Sequence, residues 1–117
     1  MPELPEVETI ARTIRPTLLG AEIRDAEIRW ARTVAHPSAR KFRERIRGQK
    51  ILGVGRRAKF VDVQLSDFHL FIHLRMSGDL LINAAPEKHD RLRLLLSDDR
   101  ILAFNDTRKF GRVWLTD

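Results

Sequence analysis

The first twenty residues carry apolar side chains at the spacing of one helical face. They recur every three or four positions, as in a buried helical stripe, at Val7, Ile10, Ala11, Ile14 and Leu18. This pattern predicts a helix from about Pro5 to Leu19, with Gly20 as its C-terminal stop. Pro16 lies inside the pattern and predicts either a kink or an ending near Arg15 followed by a further turn.

The next stretch predicts one strand and a second helix. The segment AEIRDAEIRW alternates polar and apolar positions well enough for a short strand. A helix is predicted after the dipeptide HP, from about Ser38 to Arg47, and Gly48 closes it.

After Gly48 the pattern changes to short apolar runs separated by turn residues. The runs are KILGVGRR, KFVDVQL, HLFIHLRM, DLLIN, RLRLLLS, RILAFND and RVWLTD. Turn signals lie between them at RRAK, LSDF, MSGD and SDDR, and such spacing is typical of antiparallel sheets. We therefore expect a mainly β (α+β) fold, an antiparallel β-sandwich or flattened barrel of about eight strands, flanked by an N-terminal helix and a second short helix.

Length and composition narrow the class of protein. A chain of 117 residues predicts a single domain, residues 1–117. It has no cysteine, which excludes disulfides, thiolate catalysis and cysteine zinc sites within it. No signal-peptide pattern and no apolar run of about 20 residues is present, so we expect a cytoplasmic protein without a membrane partner.

The charge is positive and concentrated in one part of the chain. The formal net charge is +6 and the isoelectric point is about 10.7. Between Ala21 and Lys59 there are 12 Lys or Arg against 4 Asp or Glu. Any single arginine of ARKFRERIRG is as well explained by a solvated helix face, but the cluster as a whole favours a polyanionic partner.

The N-terminus MPE allows a specific chemistry. Removal of Met1 is expected because Pro2 is small, and it would leave a secondary amine with a reference pKa near 7.7 to 8. Such an amine can attack an anomeric sugar carbon and form an iminium, while Glu3 transfers protons. If Met1 stays, the Pro2 nitrogen is an amide and is not nucleophilic. Taken alone, MPE is better explained as an ordinary translation start.

Five motifs that follow one another along the chain favour the functional explanation of MPE over an ordinary translation start. The chain contains MPELPEVE, GRRAKF, HLRMSG, EKHD and NDTRKFG. Together they resemble the formamidopyrimidine-DNA glycosylase family, bifunctional base-excision enzymes for oxidised purines. The resemblance runs from Met1 to Asp117, and it implies the family's N-terminal catalytic domain.

The resemblance implies three catalytic residues. Pro2 resembles the family's nucleophile, Glu3 the proton donor and acceptor beside it, and Lys59 a lysine that contacts phosphate and assists lesion processing. The alternative for Lys59 is a solvated lysine at the tip of a hairpin.

It also implies four DNA-binding residues. Met76, Arg108 and Phe110 resemble the side chains that fill the gap left by an extruded nucleotide, and His89 resembles a phosphate contact. The alternative places Met76 and Phe110 in a core, Arg108 in a surface ion pair and His89 on the surface. The turn signal directly after Met76 favours exposure of that side chain.

Other polar residues give weaker signals. Basic residues near the motifs, which charge alone does not assign to the DNA side, are Arg56, Arg57, Lys109 and Arg112. His69 and His73 share one face of a predicted strand, but without a third ligand we expect no metal site.

The resemblance further implies parts that match no segment of this sequence. Family members continue through a domain with a helix-two-turn-helix element and usually a four-cysteine zinc finger. We therefore expect no cofactor in this chain, and reduced or no activity without the other half. The implied partner is double-stranded DNA that contains oxidised bases or abasic sites, and the oligomeric state stays open.

Three alternatives remain at this point. The related endonuclease-eight branch shares the Pro-Glu start and prefers oxidised pyrimidines, although HLRMSG and NDTRKFG favour the purine branch. A non-catalytic DNA-binding module would show strongly salt-dependent binding without covalent chemistry. A tautomerase that uses an N-terminal proline as its base is the most distant, because the basic cluster does not fit it.

Overall fold

The N-terminal helix α1 spans Leu4–Leu18 and continues through Pro16. A computed structural model describes residues 4–83 and 85–117. Beyond Pro16, the Leu19 amide donates to the Arg15 carbonyl at 3.1 Å, so helical bonding persists to the end of the element. Pro16 is tolerated because it lies in the last turn, where little of the helix remains to be disrupted. Gly20 follows with a φ of 85°, as expected of a helix stop.

The second helix, α2, spans Ala39–Ile46 and confirms the sequence prediction. The Ser38 hydroxyl accepts from the Lys41 amide at 3.2 Å, which caps the N-terminus. Gly48 has a φ of 85° and ends the segment. No helix in the described part of the chain is long and apolar enough to cross a membrane.

The described residues form nine strands in two separate sheets, so the fold is a β-sandwich and not a closed barrel. The strands are β1 (Ile23–Ile28), β2 (Val34–His36), β3 (Ile51–Arg57), β4 (Phe60–Leu65), β5 (His69–His73), β6 (Gly78–Ile82), β7 (Asp90–Leu96), β8 (Ile101–Asp106) and β9 (Arg112–Thr116). One sheet has the order β1-β7-β8-β6, and the other has the order β2-β9-β5-β4-β3.

The sequence analysis missed β2, and its pairing is the one exception among the described strands to the antiparallel pattern. β2 has three residues and lies parallel to β9 at the edge of the second sheet. Three residues are too few to show an alternation, and a short 3-10 turn, Ala31–Thr33, precedes them. The remaining eight strands coincide with the predicted runs.

The core lies between the two sheets, and the helices cover its edges. β7 alternates buried and half-buried residues along its whole length, with Leu92, Leu94 and Leu96 facing inward. α1 packs on β3 and β4, and α2 packs on β1 and β2. Side chains among the largest that are fully buried are Phe42, Leu18, Ile23, Ile46, Leu70, Leu102 and Leu115.

An ion pair between Asp25 of β1 and Arg43 of α2 predicts acid sensitivity. Arg43 donates to both carboxylate oxygens of Asp25 at 2.9 Å, and these bonds, with one from the Ala26 amide, lower the pKa of Asp25 from 3.8 to about 2. A depressed carboxylate pKa stabilises the fold above the unfolded pKa and loses this effect as pH falls through the folded one. After allowance for solvent screening, Asp25→Asn should cost about 1 kcal/mol at pH 7 and only a small part of that near pH 2, where Asp25 becomes protonated in the folded state.

Urea unfolding at both pH values measures this difference. Asp99→Asn is the control, because Asp99 is 87% exposed in its pair with Arg24. A loss for Asp25→Asn that is equal at pH 7 and pH 2 would contradict the assigned cause.

Candidate nucleic-acid interface

Two neighbouring turns present Met76, Arg108 and Phe110 on one side of the molecule. Met76 lies in the turn between β5 and β6, and the other two lie in the connection between β8 and β9. Arg108 Nη1 is 3.9 Å from Met76 Sδ, so the two turns touch through these side chains. Met76 is 55% exposed and Phe110 is 52% exposed, which excludes the alternative that they belong to the core.

Backbone geometry holds both turns in tight conformations. Arg75 and Lys109 have φ values of 58° and 62°, in the left-handed region that non-glycine residues rarely occupy. Gly78, at the end of the first turn, leaves no room for a side chain, since an added Cβ would lie 2.5 Å from the Leu74 carbonyl oxygen.

A cleft of about 380 Å³ lies between the two turns and is lined by Arg75, Met76, Phe110 and Arg112. Two apolar side chains and two guanidinium groups thus line the same cleft. An apolar wedge can enter a base stack, and flanking arginines suit phosphate oxygens. Arg112 is also held in place, because its Nη1 donates to the carbonyl oxygens of Lys109 at 2.7 Å and Gly111 at 2.8 Å.

The β3–β4 hairpin presents Lys59 at its tip, as predicted, and the side chain is exposed. Glu8 of α1 pairs with Arg56 at 3.1 Å, and Arg56 donates to the Ala58 carbonyl at 2.9 Å. These contacts tie the first helix to the hairpin.

His73 connects the Lys59 hairpin with the Met76 turn. Its Nδ1 accepts a hydrogen bond from the Arg75 amide at 3.1 Å. Burial lowers the pKa of His73, and the positive charges of Arg75 and Lys59 lower it further. The ring is therefore neutral at pH 7, as an acceptor at Nδ1 must be.

His89 lies half-buried directly before β7, at the strand entrance where it was predicted. Its carbonyl accepts from the Asp106 amide at 3.0 Å, which ties it to the end of β8. β8 also leads into the Arg108 turn. All four predicted DNA-binding residues therefore lie on segments that meet around the end of one strand.

The sequence model of the formamidopyrimidine-DNA glycosylase N-terminal domain matches residues 1–113. The chain belongs to the formamidopyrimidine-DNA glycosylase family. It is 47% identical over 123 residues to the formamidopyrimidine-DNA glycosylase of Chloroflexus aurantiacus, covering 100% of this chain and 44% of the relative. It is 43% identical over 118 residues to the Escherichia coli enzyme, covering 98% and 43%.

Solved structures of the same family share the fold. The Lactococcus lactis protein in complex with DNA containing FAPY-dG superimposes with a TM-score of 0.90 at 35% identity, covering 97% of this chain and 44% of that one. The same protein bound non-covalently to DNA with an abasic site gives 0.90 at 35% identity, covering 97% and 45%. This member of the glycosylase family thus spans less than half the length of the relatives that it matches.

Two of the predicted residues of this glycosylase family member, Pro2 and Glu3, lie outside the described residues. α1 begins directly after them, at Leu4. Within residues 4–83 and 85–117, no group of three or more His, Cys, Asp or Glu is arranged to hold a metal ion. His69 instead faces Asp62, with Nδ1 and Oδ1 3.0 Å apart.

Sequence reasoning missed two residues at this site. Arg75 lines the cleft, but its position before Met76 gave no separate signal. Asp106 lies inside the NDTRKFG motif, where an Asp after a strand is ordinarily explained as a turn former. In the structure it is 1% exposed and its carboxylate contacts both turns.

Proposed function

We propose that this chain is the N-terminal catalytic part of a DNA glycosylase and abasic-site lyase of base-excision repair that removes oxidised purines such as formamidopyrimidines and 8-oxoguanine. The observation that carries this proposal is the exposed group of Met76, Arg108 and Phe110 on two touching turns. Family membership and the DNA complexes of the Lactococcus lactis protein support it.

The first task of such an enzyme is to take a base out of the duplex. Extrusion leaves a gap and an orphaned partner base. Met76 and Phe110 are apolar and more than half exposed, so few of their contacts with the protein are broken when they enter the base stack. Arg108 offers several donors to the orphaned base from the next turn.

The second task is bond cleavage at the sugar. The Pro2 nitrogen attacks the anomeric carbon, the C–N bond to the damaged base breaks, and the base leaves with a proton. Glu3 protonates the ring oxygen as the sugar opens to the iminium. The iminium acidifies the neighbouring C–H, so elimination expels the flanking phosphates and nicks the strand. These reaction steps consume no cofactor, and we propose that none is needed in this chain.

Lys59 and His89 would hold the backbone during these steps. Lys59 stands exposed at the hairpin tip, and its ammonium suits a phosphate next to the lesion. His89 lies at the entrance of β7, close to the turn of Arg108. The proposed partner is double-stranded DNA with oxidised bases or abasic sites, and the proposed location is the cytoplasm, in association with that DNA.

Borohydride trapping tests the proposal. The purified chain is incubated with a duplex that carries one abasic site, the mixture is reduced, and a covalent protein–DNA band is expected, in reduced yield because the chain spans less than half the length of its relatives. The matched control is the same duplex without the lesion, which should give no band. Competition by duplexes with 8-oxoguanine or an oxidised pyrimidine separates the purine enzyme from the endonuclease-eight alternative.

The opposite outcome is equally informative. No band from a chain shown by intact mass to lack Met1 would contradict autonomous lyase activity. If the same chain still bound DNA with a steep salt dependence, the non-catalytic DNA-binding module would be the better description.

A further inference from the structure

The Asp106 carboxylate is buried and bonded to both turns of the interface. One oxygen, Oδ1, accepts from the Ser77 hydroxyl and from the Arg108 amide, the latter at 3.1 Å. The other oxygen, Oδ2, accepts from the Gly111 amide at 2.6 Å. Ser77 adjoins Met76, and Phe110 lies between the two amides that Asp106 binds.

The backbone of Asp106 also reaches β7 and the residue directly before it. Its amide donates to the His89 carbonyl at 3.0 Å, and its carbonyl accepts from Arg91 Nε at 2.8 Å. One residue therefore contacts the segments of all four predicted DNA-binding side chains. Gly78 pairs with Asp106 where β6 runs antiparallel to β8, so the start of β6 also lies beside Asp106.

The number of donors explains why a carboxylate stands here. A buried charge is costly unless its oxygens are hydrogen-bonded. Three donors converge on Asp106 from two directions, and only a carboxylate offers an acceptor on each side. An amide of the same shape would satisfy one side and turn its own N–H₂ group toward a donor on the other.

We propose that Asp106 is a positioning residue that sets the relative placement of Met76, Arg108 and Phe110 for insertion into DNA. This inference rests on the proposed function, and it assigns to Asp106 no contact with the substrate. These three side chains can fill the gap left by the extruded base only if they enter it together. Small errors in the placement of such groups reduce activity strongly. The carboxylate makes two loops behave as one rigid unit.

The first test needs no DNA. In amide hydrogen exchange of the whole chain, the Arg108 and Gly111 amides should be protected, and Asp106→Asn should speed exchange of at least one of them by about 10-fold or more. Asp62→Asn is the matched control, because Asp62 is also a buried carboxylate, 6% exposed, but bonds to His69 in the other sheet. Unchanged exchange in Asp106→Asn would overturn the proposal.

The second test measures binding to an abasic duplex and to the undamaged duplex, well below the unfolding temperature. Asp106→Asn should reduce the preference for the abasic duplex by about 10- to 100-fold, whereas Asp62→Asn should keep it. Added to Met76→Ala, Asp106→Asn should cause much less further loss than it does alone, because both changes disrupt the same group of inserted side chains. A destabilised fold alone would give no such coupling.

The outcomes separate this proposal from the proposed function. If the unchanged chain does not prefer the abasic duplex, the proposed function fails, while the exchange test still decides whether Asp106 holds the turns. If the chain prefers the abasic duplex and Asp106→Asn retains that preference within about 2-fold, the positioning role is wrong even when exchange is faster.

Discussion

A chain with one extra glutamine between Met1 and Pro2 is expected to form no trapped adduct with an abasic duplex. A large side chain at the second position keeps the initiator methionine, and the Pro2 nitrogen then stays in a tertiary amide. An amide nitrogen has no basic lone pair with which to form an iminium. The loss should reach at least about 1,000-fold, the scale on which removal of a catalytic nucleophile acts in other covalent enzymes.

The insertion leaves the DNA interface unchanged and therefore provides its own control. Binding to the abasic duplex should stay within about 3-fold of the original chain, because phosphate contacts and the wedge supply the affinity. Peptide mapping of the adduct formed by the original chain should place the DNA on residue 2. An adduct of normal yield from a chain whose intact mass shows Met1 would remove Pro2 from the mechanism.

Local pattern was sufficient for most of the fold because most elements are amphipathic. The alternation in β7 and the stripe on α1 mark their buried faces directly. β2 was not predicted because its three residues are a strand only through their pairing with β9, which is distant in sequence. The helix continues through Pro16 because this proline lies in the last turn, and a rule about proline alone does not take that position into account.

The site was accessible from sequence only through its motifs. Met76 and Phe110 are ordinary core residue types. The turn signal after Met76 favoured its exposure, but neither composition nor spacing reveals that Phe110 is also more than half exposed. The link between Lys59 and His73 arises from the pairing of β4 with β5, which brings residues far apart in sequence together. Asp106 was hidden for a related reason, because its donors come from two separate turns.

Phe104 supports the interface from below and is enclosed by two glycines. Its ring is 2% exposed. An added Cβ at Gly78 would lie 2.8 Å from its Cε1, and one at Gly111 would clash with its Cζ. A methyl group added at either glycine would therefore meet the Phe104 ring directly.

Gly111→Ala is accordingly expected to destabilise the protein by about 3 kcal/mol in urea unfolding. The new methyl would also lie 2.9 Å from Asp106 Oδ2 and 3.0 Å from the His73 carbonyl oxygen, so relief must come from the backbone that carries Phe110. Gly55→Ala is the matched control, since nothing lies within 4 Å of its added Cβ, and its stability should change by less than about 0.5 kcal/mol. Equal stability of the two variants would mean that Phe104 yields, and that the Phe110 turn is not fixed by the packing beneath it.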